Sequence, residues 1–181
     1  MQKKFYPLLY EELMQVHNTL AYRANWSSEL IRATAQVEKD FGTACIAALT
    51  GLGQLHAPVP QVMGYLQYDS SHRLAEQIIL SGHRVAGWGS AFCKTGPDPI
   101  FTKIDGMIQK INRVLYKRIE DITCLLHSRF QRNLWPNAAC YTAAVCILED
   151  IPSEVAIGEI IRGRLSAWQE LYIENYNPRL P

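Results

Sequence analysis

The stretch Ile108–Leu126 reads IQKINRVLYKRIEDITCLL, and its apolar positions decide the fold class. Ile108, Ile111, Leu115, Ile119, Ile122 and Leu126 recur every three or four residues, with charged side chains between them. That period lays one apolar stripe along a helix and does not fit the alternation of a half-buried strand. Working outward, Pro136 ends this run or separates it from an apolar helix over Ala138–Leu148. Pro152 and Ser153 then mark a new start, with Ser153 as the expected cap of a last long helix from Val155 to Ile173. Toward the amino terminus, Val59–Leu66 and Leu74–Leu80 read as two short helices, the second stopped by Gly82. Thr43–Leu52 is small and apolar, which lets helix backbones approach closely and predicts a place at the centre of the bundle. Ser27 or Ser28 is expected to cap a helix carrying Leu30, Ile31, Thr34 and Val37. Leu9, Leu13, Val16 and Leu20 form one face of a first helix.

Nothing competes with this helical reading. No Asn-Gly or Asp-Gly turn separates two alternating runs, because Asp105-Gly106 lies inside helical periodicity. The expectation is an all-α array of eight or so helices, forming one domain over residues 1–181 with a small subdomain at about 100–135. The 181 residues suffice to bury roughly 70% of the unfolded surface without staples. Apolar residues make up 48% and charged residues 19%, which argues against disorder.

Charge and cysteine usage narrow the function classes. With 18 basic and 17 acidic side chains, the net charge of +1 offers no basic excess for a polyphosphate backbone, so nucleic acid is not expected as a partner. A small anion needs only one or two placed cations and stays open. Cys45, Cys93, Cys124, Cys140 and Cys146 are odd in number and lack a CxxC, as suits scattered thiols in a reducing compartment. No run approaches ~18 uninterrupted apolar residues, and Lys3, Lys4 and Pro7 interrupt the amino terminus, so neither a membrane span nor a leader is expected. The chain reads as cytoplasmic. His17, His72, His83 and His127 show no metal-ligand spacing, and no metal is expected.

Residues 82–99 are punctuated by Gly87, Gly89, Gly96, Pro97 and Pro99 and read as a loop, the longest irregular stretch of the chain. Three strings stand out together: GLGQLHAP (Gly51–Pro58), GHRVAGWGSAFCKTGPDP (Gly82–Pro99), and the pair WPNAACYTAAV (Trp135–Val145) with IRGRLSAW (Ile161–Trp168). Gly51-Leu52-Gly53 and Gly87-Trp88-Gly89 lack the third glycine and preceding strand of a dinucleotide fingerprint.

The order and separation of these strings resemble citrate synthase, over most of residues 15–175. The resemblance implies a citrate synthase-like multi-helix array truncated at its amino-terminal side. Enzymes of that family enolise acetyl-CoA with a carboxylate base and add the enol to the ketone of oxaloacetate, with histidines polarising both carbonyls. Carried over residue by residue, it implies catalytic positions at His56 and Ser90, where Ser90 replaces the ketone-polarising histidine. It implies substrate binding by Arg164 and Asn137, and CoA binding by Lys94, Gly87 and Gly89. Ala139 falls where the aspartate base belongs, Ile100 where a carboxylate-binding arginine is usual, and Tyr22 near an earlier substrate histidine.

An alanine cannot take a proton from carbon, and that step alone is worth ~10²–10⁴-fold. Ordinary citrate synthesis is therefore not expected. The resemblance implies instead an enzyme of the same superfamily acting on an acyl-CoA or a small di- or tricarboxylic acid, or a non-catalytic subunit that binds a metabolite or a citrate synthase-like partner. A CoA thioester enters as substrate; no resident cofactor is implied. A homodimer is expected, through Ala44–Gly51 and the last long helix. Beside each functional reading stands a plainer one. His56 could be a core or loop histidine, Arg164 an ion pair with Glu159, Glu170 or Asp150, Lys94 a solvated loop cation, and Ser90 a small turn residue. Cys93 and Cys140 flank the vacated positions and read as buried thiols rather than nucleophiles.

Overall fold

A computed structural model describes residues 5–23, 25–37, 40–52, 58–67, 85–89, 95–130 and 134–176. Among them the chain forms eight α-helices: α1 (Pro7–Ala21), α2 (Trp26–Ala35), α3 (Phe41–Thr50), α4 (Val59–Gln67), α5 (Thr102–Ile111), α6 (Arg113–Phe130), α7 (Ala138–Leu148) and α8 (Ala156–Asn175). A 3-10 turn at Pro99–Phe101 leads into α5. The described residues contain no strand; their one β feature is an isolated antiparallel bridge between Trp88 and Pro136. The all-α expectation holds. The helix expected at Leu74–Leu80 lies outside the described residues.

Helix starts follow short polar side chains that accept orphan backbone N–H groups. Asp40 accepts from Gly42 and Thr43 at the head of α3, and Asn137 from Ala139 at the head of α7. Two expectations need correction. The cap of α2 is Asn25 rather than Ser27 or Ser28: its Oδ1 accepts the Ser28 N–H at 3.2 Å, which places both serines inside the helix. The long run through Ile108–Leu126 is two helices. Asn112 takes an extended conformation (φ −145°, ψ 90°), closing α5, and its Oδ1 accepts the Leu115 N–H at 3.0 Å, opening α6. The apolar stripe survives the break, with Ile108, Leu115, Ile119, Ile122 and Leu126 all buried.

The chain divides into two compact units, Met1–Leu13 with Pro58–Ile157, and Met14–Ala57 with Gly158–Pro181. The subdomain expected at about 100–135 falls wholly within the first. At the centre of that unit is α7, whose residues 139–146 are all buried, as a helix apolar on every side must be. Its small side chains admit α4, which turns Val59, Val62, Met63 and Leu66 inward.

In the second unit α2 packs on α3 through Ile31, Ala35, Ala44 and Ala48. The small-residue segment is thus not central in the way its composition suggested. Among the described residues of α3, Ala44 and Ala48 are buried, while Ile46 and Leu49 are 66% and 40% exposed. Gly163 of α8 meets α1 closely enough that a Cβ there would lie 2.5 Å from the Cβ of His17.

The carboxyl end of α7 is closed by Asp150 at φ 51°, with the Ile151 N–H returning to the Cys146 carbonyl at 2.8 Å. This is the position where glycine avoids the left-handed penalty. Asp150→Gly should stabilise the protein by about 1 kcal/mol, a rise of roughly 2–4 °C in thermal midpoint. Differential scanning calorimetry of the variant checks this, and an unchanged or lower midpoint contradicts it.

Candidate functional site

Two of the sequence-distant motifs meet in the first unit. The Gly89 N–H donates to the Trp135 carbonyl at 2.8 Å, and the Asn137 N–H donates to the Gly87 carbonyl at 2.9 Å. The Asn137 side chain completes the clamp, with Nδ2 donating to the Gly89 carbonyl at 2.9 Å while Oδ1 accepts the Ala139 N–H. Both polar atoms of Asn137 are therefore engaged within the protein. Gly87 (φ 84°) and Gly89 (φ 88°) both occupy the left-handed region. A Cβ on Gly87 would also lie 2.8 Å from Val62 Cγ2, so α4 closes the turn from the other side. Between the glycines Trp88 is buried, and its Nε1–H donates to Thr123 Oγ1 at 2.9 Å, pinning the turn to α6.

Beside this junction is a pocket of about 410 Å³. Phe101, Tyr116, Trp135 and Tyr141 give it aromatic walls, and Asp98, Asp105, Glu120 and His127 line it as well. Asp105 of α5 is held by two phenols, accepting from Tyr141 Oη at 2.9 Å and Tyr116 Oη at 3.3 Å. Burial, reinforced by the Asp105 charge, pushes both phenols above their ordinary values. The tyrosines therefore stay protonated donors. The same two causes push the buried Cys140 thiol up, so it is a packed, inert thiol, as the sequence reading favoured.

Neither lysine nor arginine lines the pocket among the described residues. Asp98 is buried and accepts the Ile100 N–H at 3.1 Å, capping the 3-10 turn. His127 donates from Nε2 to the Leu134 carbonyl at 3.1 Å and packs edge-on to Trp135.

The second unit holds a different electrostatic arrangement around Arg164. Its Nη1 donates to Ser27 Oγ at 2.9 Å and to Asn25 Oδ1 at 3.4 Å, and its Nε is buried without a hydrogen-bond partner. Among the described residues Arg164 forms no ion pair with Glu159 or Glu170: Glu159 faces Arg162 at 3.7 Å, and Glu170 takes the Tyr22 hydroxyl. Burial lowers the guanidinium pKa to about 10, which still leaves it charged at neutral pH. His17, wholly buried, is pushed down to about 3, by burial first and then by the Arg164 charge. The imidazole is thus neutral, and Arg164 is the local positive charge.

Of the expected site residues, the structure joins Gly87, Gly89 and Asn137 and sets Arg164 among Ser27 and Asn25. His56, Ser90 and Lys94, and with them Cys93, lie outside the described residues. Ala139 stands in the first turn of α7, buried at 7% exposure. The sequence reading missed Asp105 with its two phenols, the Trp88–Thr123 bond and His17. Tyr116 and Tyr141 stand 11 and 36 positions from Asp105, so no local spacing announces that group.

Neither a protein-family model nor a curated protein sequence matches the chain. Solved structures do. Citryl-CoA lyase from Hydrogenobacter thermophilus aligns with a TM-score of 0.78 at 15% identity, covering 98% of this chain and 73% of that one. Citrate synthase from Thermotoga maritima MSB8 aligns at 0.76 and 19% identity, covering 96% of this chain and 49% of the other. Citrate synthase from the archaeon Thermoplasma acidophilum, solved as a ternary complex with carboxymethyl coenzyme A and oxaloacetate, aligns at 0.75 and 18% identity over 94% of this chain and 51% of its own. The chain thus spans about half the length of the two citrate synthases.

The clamp gives a direct test. Gly87→Ala introduces both a left-handed non-glycine residue and a collision with Val62, and should cost on the order of 1–3 kcal/mol or more. Chemical denaturation should show an earlier midpoint with an unchanged slope; an unshifted midpoint would mean that the turn is not held as described.

Proposed function

We infer that this chain, which has the citrate synthase fold, binds a small di- or tricarboxylate or an acyl-CoA thioester and does not carry out ordinary citrate synthesis. The observation that carries the reading is Arg164: a largely buried guanidinium, hydrogen-bonded only to neutral oxygens, with no carboxylate paired to it among the described residues. A buried charge without a counter-ion costs several kcal/mol, and a ligand carboxylate would relieve that cost through bidentate bonds. His17 assists by staying neutral, since a second cation there would raise the cost of keeping Arg164 buried.

Ala139 supports the negative half of the proposal. It stands where the resemblance places a carboxylate base, in a helix turn fixed by the Asn137 cap, and offers no group that accepts a proton. Any carbon–carbon bond formation or cleavage would need a base from elsewhere in the chain. His56, Ser90 and Lys94 keep the roles the resemblance implies: His56 and Ser90 at the reacting carbonyls, Lys94 with Gly87 and Gly89 toward CoA. Asn137 holds the glycine turn against α7 through the contacts described above. The empty base position gives weight to a second reading, a non-catalytic binding subunit, and turnover of acyl-CoA and carboxylate mixtures by wild type against His56→Ala decides between the two.

Citrate or oxaloacetate should raise the thermal midpoint of the wild-type protein, and Arg164→Met should abolish that rise. Stabilisation by the same compounds in Arg164→Met would remove Arg164 from the site. A second copy of the chain is the proposed partner, in a cytoplasmic setting. No helix among the described residues is long and apolar enough to cross a membrane. Ile46 and Leu49 of α3, with Leu165 and Ile173 of α8, are the exposed apolar side chains available for such pairing. Light scattering should give twice the 20.6 kDa chain mass, reduced to one chain by Ile46→Asp; a monomeric wild type at high concentration contradicts the pairing.

A further inference from the structure

The pocket of the first unit does not suit the anion assigned to Arg164. Asp105 and Glu120 line it with carboxylates, Asp98 lines it as the cap of the 3-10 turn, and no lysine or arginine does so among the described residues. Among the described residues, Lys103 is engaged with Glu12 and Lys117 with Asp121. An anionic ligand would enter against that field, whereas a cation would be drawn in.

The walls say which kind of cation. Phe101 and Tyr141 are stacked with ring centroids 4.6 Å apart and planes inclined at 21°, and both line the pocket. Trp135 forms another part of the lining, braced edge-on by His127 at 4.6 Å. Aromatic faces attract a positive charge through the ring quadrupole, most strongly when the cation sheds its water. A metal ion would instead call for several converging oxygen or nitrogen ligands, and no group of three or more metal-binding side chains is arranged to hold one among the described residues. Asp105 is fixed in the pocket lining through both of its oxygens, Oδ1 accepting from Tyr141 and Oδ2 from Tyr116, and burial with the Asp105 charge holds both phenols above their ordinary values, so they stay protonated donors. The volume of about 410 Å³ suits a small molecule.

We propose that this pocket binds a small organic ammonium compound, its positive charge lodged between the aromatic walls and facing the Asp105 carboxylate. The site is independent of the carboxylate site at Arg164, so the failure of either proposal leaves the other standing. No chemical step is assigned to it.

Choline and its uncharged isostere 3,3-dimethylbutan-1-ol distinguish charge recognition from simple filling of an apolar pocket. Calorimetric titration of the full chain should show choline binding roughly tenfold or more tightly than the isostere, with choline affinity falling as sodium chloride is raised. Asp105→Asn preserves the shape of the side chain and an acceptor for a phenol, and should remove most of the difference between the two probes. Trp135→Leu should weaken choline more than the isostere. Equal binding of the two probes by the wild type overturns the proposal, as does no binding of either, or stabilisation by magnesium or calcium chloride with none by choline. Because the decisive comparison uses the wild-type protein, poor folding of a variant does not protect the idea. Loss of choline binding in Arg164→Met would overturn the independence of the two sites.

Discussion

Four backbone groups and one amide side chain hold the first unit in register. The Gly87–Gly89 turn and the Trp135–Asn137 segment exchange hydrogen bonds as a miniature antiparallel pair, and Asn137 ties that pair to the first turn of α7. The arrangement exists because glycine tolerates positive φ at both ends of the turn and because Val62 leaves no room for a Cβ at Gly87. A loop of irregular backbone would otherwise leave its polar groups unsatisfied against an apolar helix. With the clamp in place, Trp88 is driven inward to Thr123, whose hydroxyl in turn donates to the Ile119 carbonyl. Loop, α6 and α7 become one packed assembly.

Each unit then carries its own electrostatic signature. In the second, a guanidinium is buried among neutral oxygens beside a neutral imidazole, an environment that favours an incoming negative charge. In the first, a carboxylate is braced by two phenols among aromatic rings, an environment that favours the opposite sign. In each arrangement the hydrogen-bonded neighbours are neutral groups, phenols around Asp105 and the Ser27 hydroxyl and Asn25 amide around Arg164.

Much of the fold was legible in residue spacing. The buried stripe of α1 includes Leu9, Leu13 and Val16, and α7 is buried from Ala139 to Cys146, both as read from the apolar pattern. The boundaries were less legible, because periodicity records which face a residue takes and not where backbone bonds are interrupted. Asn112 shows this plainly: the apolar phase passes through it undisturbed while its side chain ends one helix and starts the next. Asn25 shows it again, since the serines that looked like caps are occupied otherwise, Ser27 toward Asn25 and Arg164 and Ser28 toward the Ala21 carbonyl. Among the candidate site residues, the ordered motifs singled out Gly87, Gly89 and Asn137, which the structure joins by hydrogen bonds, but gave no sign of Asp105, which sits inside an ordinary helical pattern.

What the sequence determined by itself was the helical class and the apolar faces, because these depend on composition and on spacing within a few turns. An alanine at position 139 is unable to act as a base in any fold. What only the tertiary structure decided was which polar groups share a buried environment. Arg164 met Ser27 and Asn25 across more than 130 residues, and Tyr141 met Asp105 across 36. Whether a charge is neutralised, braced or left seeking a counter-ion is set by such long-range neighbours and by the loss of water around them, and neither is written in local spacing.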